Sequence, residues 1–173
     1  MKKISIAVSC VLLISLQAFV VLNVWKVKTS EASVKFSSGK INGSFKGLKA
    51  AINFSKDHPE QASISASIAS GSIATGFFLK NSHAKDALGT EKYPLIKFVS
   101  TAVVKSGAGY IAKGNLTLKG VTRPASISFT FDEKGNQGVF KGNMTVRPKD
   151  FGIDRSGTPE KVAVQLVVPV TAS

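Results

Sequence analysis

Few side chains in this sequence stand where chemistry could be done. The chain holds one cysteine and two histidines among 173 residues. One thiol excludes a disulfide framework and a Cys-based zinc site, and two imidazoles leave little room for a His-built metal centre. His83 is the polar side chain best suited to hold a ligand, with a helix cap or a packing role as its competing reading. His58 precedes Pro59 in a charged turn and reads as structural. Arg123 follows a strand and could meet an anionic head group, although a turn salt bridge or an exposed hairpin position weighs more. Asp150-Phe151-Gly152 shares its letters with a kinase magnesium motif, but no glycine-rich loop, catalytic loop or strand lysine accompanies it. Ser37-Ser38-Gly39-Lys40 has the S-x-x-K spacing without its S-D-N and K-T-G partners, and no G-x-S-x-G elbow exists. Four glycosylation triplets, beginning at Asn42, Asn53, Asn115 and Asn143, follow from polar residues alternating along strands. The carboxylates are scattered over turns and do not pair. The expectation is a protein that is not an enzyme and has no metal.

The charge is the next signal. Lys and Arg number 23 against 10 Asp and Glu, a net charge of +13. Such a balance raises anionic partners: nucleic acid, phospholipid or phosphate-bearing ligands. Lys97, Lys113, Lys141 and Arg147 fall on outward strand positions, where lysine also discourages edge pairing, so most of the excess reads as a solvated surface. A nucleic-acid platform would interleave aromatic residues with Lys and Arg on one outward face, and this chain does not. A basic module for anionic surfaces stays as one alternative reading and an enzyme on a barrel scaffold, which lacks any convergent catalytic set, as another; membrane-surface contact stays open.

The elements that must position these groups begin with an export segment. Lys2 and Lys3 precede an uncharged run from Ile4 to Trp25, long enough as a helix to span a bilayer core. One reading is a signal peptide, residues 1–18, cut after Leu16-Gln17-Ala18; Ser30-Glu31-Ala32 is a later alternative. The other is an uncleaved anchor, residues 1–25. Both put the remainder, 24–173, outside the cytoplasm, periplasmic or otherwise exported. Cys10 has too few apolar residues before it for lipid attachment.

Beyond Trp25 the dominant period is two, the strand period. Ile64, Ala66 and Ile68 alternate with serines; Ala112, Gly114 and Leu116 alternate with Lys113, Asn115 and Thr117. Phe129 and Phe131, then Phe140 and Met144, then Val164 and Leu166 do the same, and Phe36 lies on an earlier, shorter strand. Phe98 shares a face with Ile96, Ala102 and Val104 in a less regular run. Gly107-Ala108-Gly109 and Lys134-Gly135-Asn136 join strands as hairpins, while Ser38-Gly39 and Asn42-Gly43 punctuate the front. Gly76 to Leu88 reads as a short helix or lid, with Phe77 and Phe78 apolar. Strands with one apolar and one polar face need closure, which predicts an all-β antiparallel barrel of roughly eight strands with one short helix. Small residues beside large ones on the inward face leave either tight packing or a cavity, and periodicity does not choose between them.

Two longer motifs carry a family resemblance. Lys92-Tyr93-Pro94-Leu95-Ile96-Lys97-Phe98 resembles the K-Y-P-x-I-x-F signature of the YceI-like family, lipocalin-like polyisoprenoid-binding proteins. Gly114-Asn115-Leu116-Thr117-Leu118-Lys119-Gly120-Val121-Thr122-Arg123-Pro124 resembles its second signature, and blocks at Trp25, Ser33, Gly43, Ser72 and Lys149 match in order. The family usually has an Arg-Asp pair where this chain has Lys80-Asn81, and the stretch from His83 to Lys92 is shorter and lacks the family's aromatic pair. The resemblance implies a lipocalin-like barrel whose apolar channel takes an isoprenoid chain, a quinone tail or polyprenyl lipid. Phe36, Ile64, Ala66, Ile68, Phe77, Phe78, Phe98, Ala112, Gly114, Leu116, Phe129, Phe131, Phe140, Met144, Val164 and Leu166 are then the expected lining. His83 and Arg123 are the expected contacts to a quinone oxygen or phosphate. No cofactor is expected beyond such a lipid, no nucleic-acid partner is expected, and the oligomeric state, a dimer included, stays open. In similar proteins the block at Trp25 opens the first barrel strand, so a cut near Ala18 fits better than one after Ala32.

Overall fold

The computed structural model describes residues 23–39 and 41–173. The export segment with its cut at Ala18 and Cys10, together with Lys40, lies outside the described residues. Ten strands form one antiparallel sheet: β1 (Val24–Val27), β2 (Ser33–Ser37), β3 (Asn42–Phe45), β4 (Lys49–Asn53), β5 (Ser63–Ala69), β6 (Leu95–Ser106), β7 (Gly109–Leu118), β8 (Val121–Lys134), β9 (Gln137–Val146) and β10 (Val162–Ala172). One helix, α1 (Phe78–Leu88), lies between β5 and β6. The order β1-β4-β5-β6-β7-β8-β9-β10 closes on itself through β1 and β10, giving a barrel of eight strands. β2 continues along β10 where β1 leaves it, from Ser37 opposite Ala163 to Ser33 opposite Val167, and carries β3 beside it. Closure removes the free edges that so many amphipathic strands would otherwise expose.

The two ends of the barrel differ. At one end Phe54, fully buried, meets Tyr110, Phe129, Phe131 and Phe140 edge-on, at ring centroids 4.9, 5.6, 5.4 and 5.5 Å away. Trp25 completes this plug: its ring lies edge-on to Phe131 and its indole Nε1 donates to the Phe54 carbonyl at 3.0 Å. A buried indole N–H needs such a partner. The hairpin turns at Gly107 and Gly135 lie at this closed end, where Lys56 ion-pairs with Glu133 at 2.8 Å. Hydrogen bonding to Glu133 raises the Lys56 ammonium above its ordinary value. The other end carries α1 and the 148–161 connection and stays open.

Two readings, one of a turn and one of alternation, change here. Asn42 and Gly43 belong to β3 and do not form a turn. Gly43 is there because a Cβ would meet the Ala74 carbonyl and the Phe36 ring, 2.9 Å from its Cε1. Ala102 and Val104 do not share a face with Phe98. A bulge between Ser100 and Ala102 inserts one residue and reverses the phase, so Val103 is buried and Val104 exposed.

Candidate functional site

Inside the open end lies a cavity of about 740 Å³. This is within the range of small-molecule sites. Nine strands, β2 to β10, contribute lining side chains, mostly from the inward half of their alternation, with Phe45 the contribution of β3 and Ser67 and Lys97 added from β5 and β6. β2 supplies Val34 and Phe36, β4 Ala50 and Ile52, and β5 Ile64, Ala66 and Ile68. β6 supplies Ile96 and Phe98, and β7 Ala112, Leu116 and Leu118. β8 adds Ile127 and Phe129, β9 Phe140, Gly142 and Met144, and β10 Val164, Leu166 and Val168. Phe129 and Phe140 serve twice, as the floor of the cavity and as part of the plug beneath it.

Four expected lining residues lie elsewhere. Phe131 stacks on Phe140 at 4.2 Å within the plug, below the cavity floor. Gly114 is buried but backs onto the β6 bulge: a Cβ would meet the Val99 carbonyl oxygen and lie 2.8 Å from Ser100 Cα. Glycine there allows two backbones to approach and leaves no space for a ligand. Phe77 and Phe78 point into solvent at the start of α1, 67% and 85% exposed. The apolar run around them does not have the helical spacing that would turn it inward.

The mouth is polar on two sides. Lys80 and His83 line it from α1, with Ala84, Ala87 and Leu88 behind them on the same helical face. Arg155, Ser156, Gly157 and Thr158 line it from the facing connection. Among the described residues no carboxylate lines the cavity. The mouth therefore offers cations and hydrogen-bond donors and favours a head group rich in acceptors.

Arg123 does not reach this mouth. Its Nε donates to the Asp150 carbonyl at 3.2 Å, on the outer surface. Lys119 Nζ donates to the Gly152 carbonyl at 2.8 Å beside it. Together they hold the short 3-10 turn Pro148–Phe151, from which Ile153 and the mouth residues Arg155 to Thr158 follow. Arg123 thus supports the mouth from behind.

The same region shows why distant sequence blocks belong together. Lys119 and Gly120 both take positive φ, 51° and 75°, in the two-residue turn between β7 and β8. A Cβ on Gly120 would enter the Tyr93 ring, 2.8 Å from its Cδ1. Tyr93 also covers Gly89, the left-handed cap that ends α1. The carbonyl of Tyr93 accepts from the buried Ser70 hydroxyl at 2.7 Å. The Lys92-Tyr93-Pro94 block therefore locks the end of α1 against the β7–β8 turn. Asn81 fixes its beginning, accepting from Thr75 N–H at 2.6 Å and from the Thr75 hydroxyl at 2.8 Å. Ser70 and Ser100 are working residues that alternation passed over. Ser100 Oγ accepts the Ile64 N–H at 2.8 Å beside the bulge. Among the described residues no three His, Cys, Asp or Glu side chains gather to hold a metal ion.

A closed antiparallel barrel with an apolar interior and a mouth partly covered by one helix is a lipocalin-like architecture. The chain belongs to the YceI-like family, whose domain matches residues 25–173. It is 32% identical over 136 residues to a UPF0312 protein of Serratia proteamaculans, covering 74% of this chain and 71% of that one. It is 36% identical over 126 residues to a UPF0312 protein of Pseudomonas syringae pv. syringae, covering 68% and 66%. Among solved structures it resembles Burkholderia cenocepacia BcnA, with TM-score 0.79, 22% identity, and 84% and 99% of the two chains covered. It also resembles a polyisoprenoid binding domain from Saccharophagus degradans implicated in plant cell wall breakdown, with TM-score 0.65, 14% identity, and 86% and 98% covered.

Proposed function

We propose that the barrel binds an isoprenoid lipid, a quinone tail or polyprenyl chain, and carries or sequesters it outside the cytoplasm without catalysing a reaction. The observation that carries this reading is the cavity: about 740 Å³, open at one end and lined by aliphatic and aromatic side chains from nine of the strands. Each buried CH₂ contributes on the order of 0.8 kcal/mol, so a long tail needs few polar contacts. Family membership and the likeness to a polyisoprenoid binding domain support the same ligand class. Lys80, His83 and Arg155 at the mouth suit a quinone oxygen or a phosphate. Export rests on Lys2-Lys3 and the uncharged run behind them.

Mass spectrometry of a solvent extract from the purified protein tests the ligand. A co-purifying prenyl lipid, or stoichiometric uptake of a prenyl quinone by protein stripped of lipid, is the expected result. An empty barrel that takes up neither a prenyl quinone nor a polyprenyl phosphate overturns it. Cell fractionation tests the location, and full-length protein in the cytoplasmic fraction would contradict it.

A further inference from the structure

α1 lines the cavity mouth with one face and leaves three large apolar residues at its start in solvent. Lys80, His83, Ala84, Ala87 and Leu88 recur at helical spacing and line the mouth. Phe77, Phe78 and Leu79 are 67%, 85% and 70% exposed. A helix that secures itself on a core turns its large apolar side chains inward, and of those in α1 only Leu88 does so. Among the described residues these three are the most exposed of the large apolar side chains, and they are consecutive. Isolated exposed apolar residues are ordinary, but a contiguous group at the rim of an apolar cavity marks a contact surface.

The charge around the group selects the partner. Lys80 Nζ sits over the Phe77 ring, 5.2 Å from its centroid. Lys85 lies one to two turns further along the exposed side of α1, next to the one carboxylate on that helix, Asp86. Lys46, exposed, is tied by its backbone N–H to Ser72 in the segment leading to α1. The whole chain carries +13. Aromatic and leucine side chains seated beside lysines fit the boundary of an anionic bilayer, with rings among the upper acyl chains and ammonium groups at the phosphates. Among the described residues no helix is long and apolar enough to cross a membrane.

We infer that the start of α1 is a membrane-docking surface: Phe77, Phe78 and Leu79 enter the interface of an anionic bilayer and set the cavity mouth against the leaflet. Docking itself stands on the exposed residues and their charge. That the cavity fills from the docked leaflet rests on the lipid-binding reading.

The test uses the exported protein with phosphatidylcholine vesicles, with and without phosphatidylglycerol. Amide hydrogen exchange across 77–80 reports the rim whatever else holds the protein to the vesicle. Exchange there slows on anionic vesicles and much less on neutral ones. Phe77→Ser/Phe78→Ser lowers the anionic-vesicle partition by about tenfold or more, as expected for two rings leaving the interface. Lys80→Gln and Lys85→Gln each lower it about fivefold at low salt. Melting temperature is unchanged in the double serine variant, because the rings are exposed. Unchanged exchange at 77–80 in the presence of anionic vesicles overturns the inference. So does a double serine variant that partitions like the parent, including the case where the same change instead dissolves a dimer and shows the patch to be a self-contact. A barrel empty of lipid whose vesicle binding is still lost with the two rings keeps the docking surface and rejects the carrier reading.

Discussion

At single residues, the inward face of the barrel divides into positions that border space and positions that border backbone. Ala66 borders space: it is half-buried, lines the cavity and stands opposite Phe98 on β6. Gly114 borders backbone, against the Val99 carbonyl and Ser100. Ala66→Phe should therefore reduce bound prenyl lipid sharply while stability falls by less than about 1 kcal/mol, since the ring enters open volume. Gly114→Ala should do the opposite, with a loss of about 1–3 kcal/mol from forced overpacking at the bulge. Melting temperature and extracted lipid, measured together on both variants, separate the two. An Ala66→Phe protein that melts far below the parent would show a filled core at that position. Gly120→Ala should also destabilise, because the residue holds a left-handed φ of 75° under the Tyr93 ring.

At the level of elements, β1 and the Arg123 support carry separable roles. β1 is only Val24–Val27, yet it pairs with β10 on one side and β4 on the other and so closes the ring. Trp25 seals the plug from this strand, 2% exposed. Trp25→Ala should cost about 3–5 kcal/mol by urea unfolding, as a buried aromatic replaced by a void. A chain cut after Ala32 would lack β1 altogether, so if the protein is exported as proposed, N-terminal sequencing of the purified protein should find a start upstream of Asn23. Arg123 acts from outside the barrel through one hydrogen bond to the Asp150 carbonyl. Arg123→Ala should cost about 0.5–1.5 kcal/mol and leave the bound lipid in place. Complete loss of lipid with normal stability would mean that the guanidinium reaches the head group after all.

For the whole molecule, the two ends imply two different dependences on salt. Apolar burial in the cavity is not screened, whereas lysines at a membrane surface are. Retention of the tail should stay constant between low and high salt, and vesicle binding should fall over the same range. A steep loss of bound lipid with salt would assign the affinity to the basic residues and not to the cavity. The chain enters the barrel at Asn23, whose carbonyl accepts from Phe54 N–H at the closed end, while α1 covers the opposite end. Lys113, Lys141 and Arg147 are exposed on the outer wall, while Lys97, also exposed, lines the cavity. The outward charge keeps the outer wall solvated, and the α1 rim is where the most exposed large apolar side chains, Phe77, Phe78 and Leu79, lie beside charge.

Period-two alternation by itself determined the all-β class, the inward position of residues such as Ile64, Ala66, Leu116 and Phe129, and the outward position of the lysines. It could do so because a closed barrel has one interior, and each strand must present one apolar face to it. Three matters waited for the tertiary structure. The bulge at Ser100–Ala102 reversed the phase of β6, which depends on how Gly114 lets two backbones approach and not on local hydropathy. Whether the small inward residues meant tight packing or a cavity depended on how the eight strands close around the Phe54 plug, a sum over distant residues. The start of α1 was the third. Phe77 and Phe78 look like core in a list of residue types, but Ala84, Ala87 and Leu88 took the inward face, because side chains at helical spacing from Lys80 and His83 are the ones that meet the mouth.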